Sequence, residues 1–323
     1  MPPLRMTSDV LRVAAPRVPS SNRGMDALVT HDLCKSYGPH EVLHKVNLRV
    51  PSGCLFGFLG PNGAGKTTAI RVLLGLLRAS AGAAQVLGRD VWSEGPALRA
   101  DVGYLPGEVR LYDHLTGRAT LAFMDAARGG GAAKEVRRLV ARLDLDLGKR
   151  VRNYSRGMKQ KLGLIQALMH RPELLILDEP TIALDPLVRQ TLFEELRCVA
   201  AEGRTVFFSS HTLGEVEKLC DMVAILREGR LIAQERIEVL RARAVRHVEI
   251  VFAAGGASAG PLPPGLQVLQ QTEDRIAATW TGPIETLLSW LGGRAVQDLT
   301  IAPPDLEDLF MTYYQAGKLE PRP

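Results

Sequence analysis

No run of apolar residues in this 323-residue chain approaches the ~20 needed to span a bilayer. The N-terminal stretch also lacks the apolar segment of a signal peptide. A cytoplasmic chain is expected, so any membrane process it serves needs other chains to do the crossing. Cysteine is scarce: Cys34, Cys54, Cys198 and Cys220 stand far apart and form no C-x-x-C. That argues against a disulfide framework and for buried or free thiols in a reducing compartment. Charge of one sign is missing too. The 40 basic and 35 acidic side chains leave a net +5, too small an excess to call for nucleic acid.

Apolar residues are ample at 46%, and the length suggests about two domains. The most informative stretch is Gly60-Pro61-Asn62-Gly63-Ala64-Gly65-Lys66-Thr67-Thr68, which reads G-x-x-x-x-G-K-[ST], a phosphate-binding loop. Residues 54–59 are a short apolar run suited to the strand that feeds it. Residues 68–77 carry Ile70, Leu73, Leu74 and Leu77 at helical spacing. Glycines let successive N–H groups turn toward one anion, and the helix N-terminus adds partial positive charge. In this pattern Lys66 reaches the β- and γ-phosphates and the Thr67 hydroxyl ligates Mg²⁺. A Gly-rich turn that matches by accident is the bland alternative, and the strand-loop-helix context weighs against it.

Leu174-Leu175-Ile176-Leu177-Asp178-Glu179 is the second informative stretch. Four consecutive aliphatics indicate a strand buried on both faces, as in a parallel sheet. Its two carboxylates fall at the C-terminal end, where α/β sites gather. Asp178 is placed to hold Mg²⁺, directly or through water, and Glu179 to orient and deprotonate an attacking water. Alone they read equally well as ordinary surface acids; the phosphate loop upstream favours the catalytic reading. A strand over 205–209 ends just before His211, a histidine within reach of a γ-phosphate, although taken alone it reads more readily as a plain helix-capping neighbour.

The remaining pattern gives the organisation. Residues 1–24 have no hydrophobic period and are expected to be a disordered tail. Strands are expected over 27–33 and 42–50, with Lys35-Ser36-Tyr37-Gly38 as a turn, then over 83–87 and 102–105. Residues 111–168 read as helical, split by Gly129-Gly130-Gly131. A helix over 186–202 and a hairpin around Glu228-Gly229 complete a nucleotide-binding unit over 25–243. Residues 244–323 alternate differently and read as a small α+β accessory domain with a last helix.

Between the loop and the acids lies Asn153-Tyr154-Ser155-Arg156-Gly157-Met158-Lys159-Gln160, which resembles the signature segment of ATP-binding cassette (ABC) ATPases. Pro180-Thr181-Ile182-Ala183-Leu184-Asp185 resembles that family's D-loop and Ser210-His211 its switch histidine. Tyr37 matches the aromatic that stacks on adenine. The resemblance runs from about 27 to 233. Tyr-Ser-Arg-Gly-Met, and the ending Asp305-Leu306-Glu307-Asp308-Leu309-Phe310, are similar to the ATPase subunits of multidrug and antibiotic exporters.

The resemblance implies an α/β P-loop ATPase with an initial antiparallel β subdomain, a helical subdomain and the small C-terminal domain. It implies ATP and Mg²⁺ as ligands, Glu179 and His211 as catalytic residues, and Ser155 and Gly157 closing on nucleotide held by a second subunit. That second chain is expected to be a copy of this one, and a separate polytopic permease to hold both at the inner face of the membrane. Three positions depart from the family. Arg156 and Met158 replace the signature's usual glycine and glutamine. The glutamine that senses Mg²⁺ and the permease falls at Gly107, beside Glu108. Ala183 stands for the D-loop glycine, a small change in size. A soluble cassette ATPase acting on ribosomes or DNA is the alternative. A single phosphate loop and the lack of sustained heptads weigh against it, and no N-K-x-D motif suggests a GTPase.

Overall fold

The computed structural model of the chain describes residues 26–243, 245–253, 261–304, 306 and 310. Its central sheet is built from the most apolar strands. β4 (Leu55–Leu59) and β8 (Leu174–Asp178) are buried at every residue. With β7 (Val102–Leu105), β9 (Thr205–Ser210), β10 (Met222–Arg227) and β11 (Arg230–Arg236) they form one sheet in the order β11-β10-β4-β9-β8-β7. All pairs are parallel except the β10–β11 hairpin at the edge. The two-residue period splits the side chains between two cores. Leu175, Leu177, Val206 and Phe208 enter one, and Leu174, Ile176 and Phe207 the other. Both faces are thus covered, as a parallel sheet requires.

A second, antiparallel sheet lies upstream. β1 (Asp26–Tyr37) is its spine and pairs with β2 (His40–Val46), β3 (Arg49–Pro51) and β5 (Ala81–Val86). β6 (Arg89–Asp90) extends it. The single strand expected over 42–50 is two strands. The Thr30 hydroxyl intrudes between them, donating to Val46 O at 2.8 Å and accepting from Leu48 N at 2.8 Å. β1 itself runs through Tyr37, so the expected turn shrinks to Gly38–Pro39.

α1 (Lys66–Leu73) follows the phosphate loop, and the short α2 (Gly95–Leu98) precedes β7. The helical insert comprises α3 (Gly117–Ala127), α4 (Ala133–Leu143) and α5 (Arg156–Leu168). Gly129, Gly130 and Gly131 all take positive φ, which stops α3 and lets the chain reverse. α6 (Pro186–Ala201) carries the buried Glu195, which the Arg138 guanidinium of α4 grips with two nitrogens, fastening insert to core. α7 (Leu213–Leu219) packs directly on β4. A Cβ at Gly57 would sit 2.5 Å from Val216 Cγ1, so only glycine admits the helix there. α2, α7 and α8 (Ile237–Arg243) were not anticipated, being too short to show a helical period.

The C-terminal sheet is antiparallel, in the order β13 (Leu266–Gln271), β14 (Arg275–Trp280), β12 (Arg246–Phe252), β15 (Val296–Pro304), with α9 (Ile284–Leu291) on one face. It has its own core around Trp280, Phe252 and Leu287. Leu306 and Phe310, in the expected last helix, are buried in the core of the central sheet with Leu240 and Val216. The rest of that helix and the tail over 1–24 lie outside the described residues.

Candidate nucleotide-binding site

The parallel order brings three strand ends together. β9 lies between β4 and β8, with Leu59 opposite Ser210 and Ser209 opposite Asp178. The phosphate loop leaves β4 there. At Gly60 a Cβ would meet Leu226 O at 2.3 Å, so the loop can start only on glycine. Gly63 and Gly65 take φ of 83° and 101°, the left-handed region, and swing the backbone into α1.

Lys66 is buried. Its Nζ donates to Gly60 O at 2.6 Å and Pro61 O at 3.2 Å, and faces Glu179 Oε1 at 3.1 Å as an ion pair whose angles fall short of a hydrogen bond. The other Glu179 oxygen meets His211 Nδ1 at 2.7 Å. Glu179 itself sits at φ 51°, a costly conformation for a side-chain-bearing residue. Thr67 Oγ1 donates to Asp178 Oδ2 at 2.8 Å. Ser209 Oγ donates to Asp178 Oδ1 at 2.7 Å and accepts from Glu179 N at 3.0 Å, so one hydroxyl orients both acids. The cleft above the loop has a volume of about 320 Å³ and is lined by His40, Val42, Pro61, Asn62, Gly63, Ala64, Gly65, Lys66, Thr67, Thr68 and Glu179.

Tyr37 stands outside that lining, opposite His40 in the β1–β2 pair. It is exposed, with Lys35 Nζ 5.1 Å from its ring centroid. Ser155 and Gly157 are also outside. Ser155 caps α5, its Oγ accepting from Met158 N at 3.2 Å. Gly157 packs so tightly on the Ala183 carbonyl that a Cβ would lie 2.7 Å from it.

The chain has relatives among known proteins. Residues 43–182 match the family described as ABC transporter. An uncharacterized ABC transporter ATP-binding protein of Synechocystis is 36% identical over 282 residues, which cover 84% of this chain and 78% of that protein. The daunorubicin resistance ATP-binding protein DrrA3 of Streptomyces coeruleorubidus is 35% identical, over 86% of this chain and 92% of its own length. A solved ATP-binding subunit of an ABC transporter superposes with a TM-score of 0.62 at 32% identity, covering 67% of this chain and 92% of that one. The chain belongs to the ABC transporter ATP-binding proteins. It is therefore an ATP-binding, ATP-hydrolysing subunit, and its mixed α/β fold is that of an ABC ATPase.

Within this ABC ATPase two departures gain a geometry. Gly107 lies against Asp178: a Cβ there would be 3.5 Å from its Oδ2, an ordinary contact. Glu108 turns away, exposed and paired with Arg110 at 3.0 Å. Ala183 has φ 64°, so replacing the family's glycine costs conformation more than size. Sequence reasoning missed Ser209, His40 and Tyr104. Ser209 is hidden by its strand, because alternation alone does not mark a hydroxyl as bridging two acids. On β7, burial and then the Asp178 carboxylate push the Tyr104 phenol up to about 12, so it stays a donor, near Arg71 of α1. Burial likewise raises the Cys54 and Cys220 thiols, which keeps both protonated and inert.

Proposed function

We propose that the chain is the motor subunit of an exporter, hydrolysing ATP between two copies of itself beneath a separate membrane permease. The convergence of Lys66, Asp178, Glu179 and His211 at adjoining strand ends carries this reading. Phosphate oxygens fit the loop's N–H groups and Lys66. Thr67 and Asp178 offer the hard oxygen donors that Mg²⁺ prefers, and would hold it; the ion would neutralise phosphate charge. Glu179 takes a proton from the attacking water. The new P–O bond forms as the β–γ bridging oxygen leaves with ADP, and His211 steadies the Glu179 carboxylate. Tyr37 stacks on the adenine, displacing Lys35 from one ring face.

Ser155 and Gly157 act on the nucleotide of the second copy. Two observations support this: neither reaches the cleft of its own chain, and the hydroxyl end of α5 is exposed. Among the described residues no helix is long and apolar enough to cross a membrane. In this reading the permease is a different chain, and this one sits on the cytoplasmic face. The name of the daunorubicin resistance relative favours outward transport. Residues 25–243 form the ATPase unit and 244–323 an accessory domain, with 1–24 as a tail. The test is Glu179→Gln. ATP binding should persist while phosphate release falls by about 10²–10⁴-fold. Near-normal release would remove Glu179 from the reaction.

A further inference from the structure

A buried carboxylate is costly unless hydroxyls or cations meet it. Glu215 of α7 is buried and does not line the nucleotide cleft. Its Oε2 accepts two hydrogen bonds, from Thr181 Oγ1 at 2.9 Å and Ser210 Oγ at 2.8 Å. Its Oε1 stands 3.5 Å from Arg189 Nη1. The two hydroxyls belong to different segments. Thr181 follows Glu179 by two residues, and Ser210 immediately precedes His211. Ser210 Oγ also accepts from Thr212 N at 2.9 Å, so it braces the backbone on both sides of His211. Thr181 opens a tight turn closed by Ile182 N to Glu179 O at 3.3 Å and Leu184 N to Thr181 O at 3.1 Å.

We propose that Glu215 is a positioning residue for hydrolysis. By holding Thr181 and Ser210 on one oxygen, it fixes the two turns that present Glu179 and His211 to each other. This rests on the reading of Glu179 as the base. Glu215 touches no nucleotide and moves no proton; it acts through backbone. Glu179 needs such bracing because φ 51° relaxes unless its neighbours prevent it. Ser209 pins its N–H from one side. From the other, Gln160 Nε2 holds Pro180 O at 3.1 Å and Glu215 holds Thr181. Releasing the last of these lets the carboxylate drift. A misplacement of about 1 Å at a reacting group costs on the order of 100-fold in rate.

The test compares Glu215→Ala, Glu215→Gln, Thr181→Val and Glu179→Gln in the full chain, reading kcat by phosphate release and ATP affinity by titration with a fluorescent analogue. Glu215→Ala should lower kcat by about tenfold or more while affinity stays within about twofold. Glu215→Gln should recover to within about threefold, since one amide oxygen accepts both hydroxyls. Thr181→Val should fall partway, and combined with Glu215→Ala should cost nothing further. Unchanged kcat in Glu215→Ala overturns the proposal. So does Glu215→Gln falling as far as Glu215→Ala, or affinity falling in step with kcat, which would mark a merely structural role. Should Glu215→Ala fail to fold, Thr181→Val decides alone, and normal turnover there overturns it. Full turnover in Glu179→Gln would sink the base reading and this proposal together. An inactive Glu179→Gln beside a normal Glu215→Ala sinks only the latter.

Discussion

At the phosphate loop the described charged groups have internal partners, whereas at the head of α5 the cation has none among the described residues. Lys66, Glu179 and His211 form one continuous chain of contacts, and Thr67, Asp178 and Ser209 a second. At α5, Ser155 spends its hydroxyl on its own helix, and Arg156 is exposed with no partner among the described residues. No acidic residue occupies the first turn of α5, so the guanidinium adds to the positive end of the helix dipole instead of offsetting it. The difference teaches that the first region is a finished cradle, satisfied within one chain. The second is an unfinished surface that a negative group from another molecule would complete.

The cradle side breaks most sharply. Lys66→Ala should weaken ATP binding by roughly 10- to 150-fold, since one charge-assisted contact to phosphate is worth about 1.5–3 kcal/mol. Titration with a fluorescent analogue reads this, and unchanged affinity would mean the loop is not the nucleotide site. The open side breaks differently. In a Glu179→Gln background, Ser155→Arg should abolish an ATP-induced dimer in analytical ultracentrifugation yet leave single-chain affinity unchanged. Weakened binding to the monomer would place Ser155 in its own chain's site and erase the contrast.

Two smaller effects sharpen the picture. Ala183→Gly should raise stability by about 0.5–1 kcal/mol, the left-handed penalty less the added chain entropy, visible as a higher Tm. The acid side is set by His170, in the turn between α5 and β8. Burial, aided by Arg128, lowers its imidazole from the ordinary 6.5 to about 4. The unfolded chain thus binds the extra proton between those values, so stability should fall as pH drops from about 6.5 to 4. A His170→Gln variant should show a flatter pH–Tm curve over that window, and an unaltered slope would assign the acid loss elsewhere.

Much of the first region was legible because its sequence is contiguous. The glycines, Lys66 and Thr67 sit in one loop, and Asp178 and Glu179 end one apolar strand. What could not be read was contact across segments. Nothing in Thr205–Ser210 announces that Ser209 bridges two acids 30 residues upstream. The break after Val46 depends on a hydroxyl sixteen residues earlier, which no local period reveals. The size of Ala183 suggested tolerance, but its φ is decided by the turn around it.

On the proposed reading of Glu179 as the base, its pair with Lys66 is an interlock. The base is held by the cation meant for phosphate, and the cation by the base, 3.1 Å apart. On that reading, a γ-phosphate that takes Lys66 releases Glu179 in the same movement, so the base is freed by the very group that water is to attack. Idle water is thereby kept from an activated carboxylate until there is something to hydrolyse.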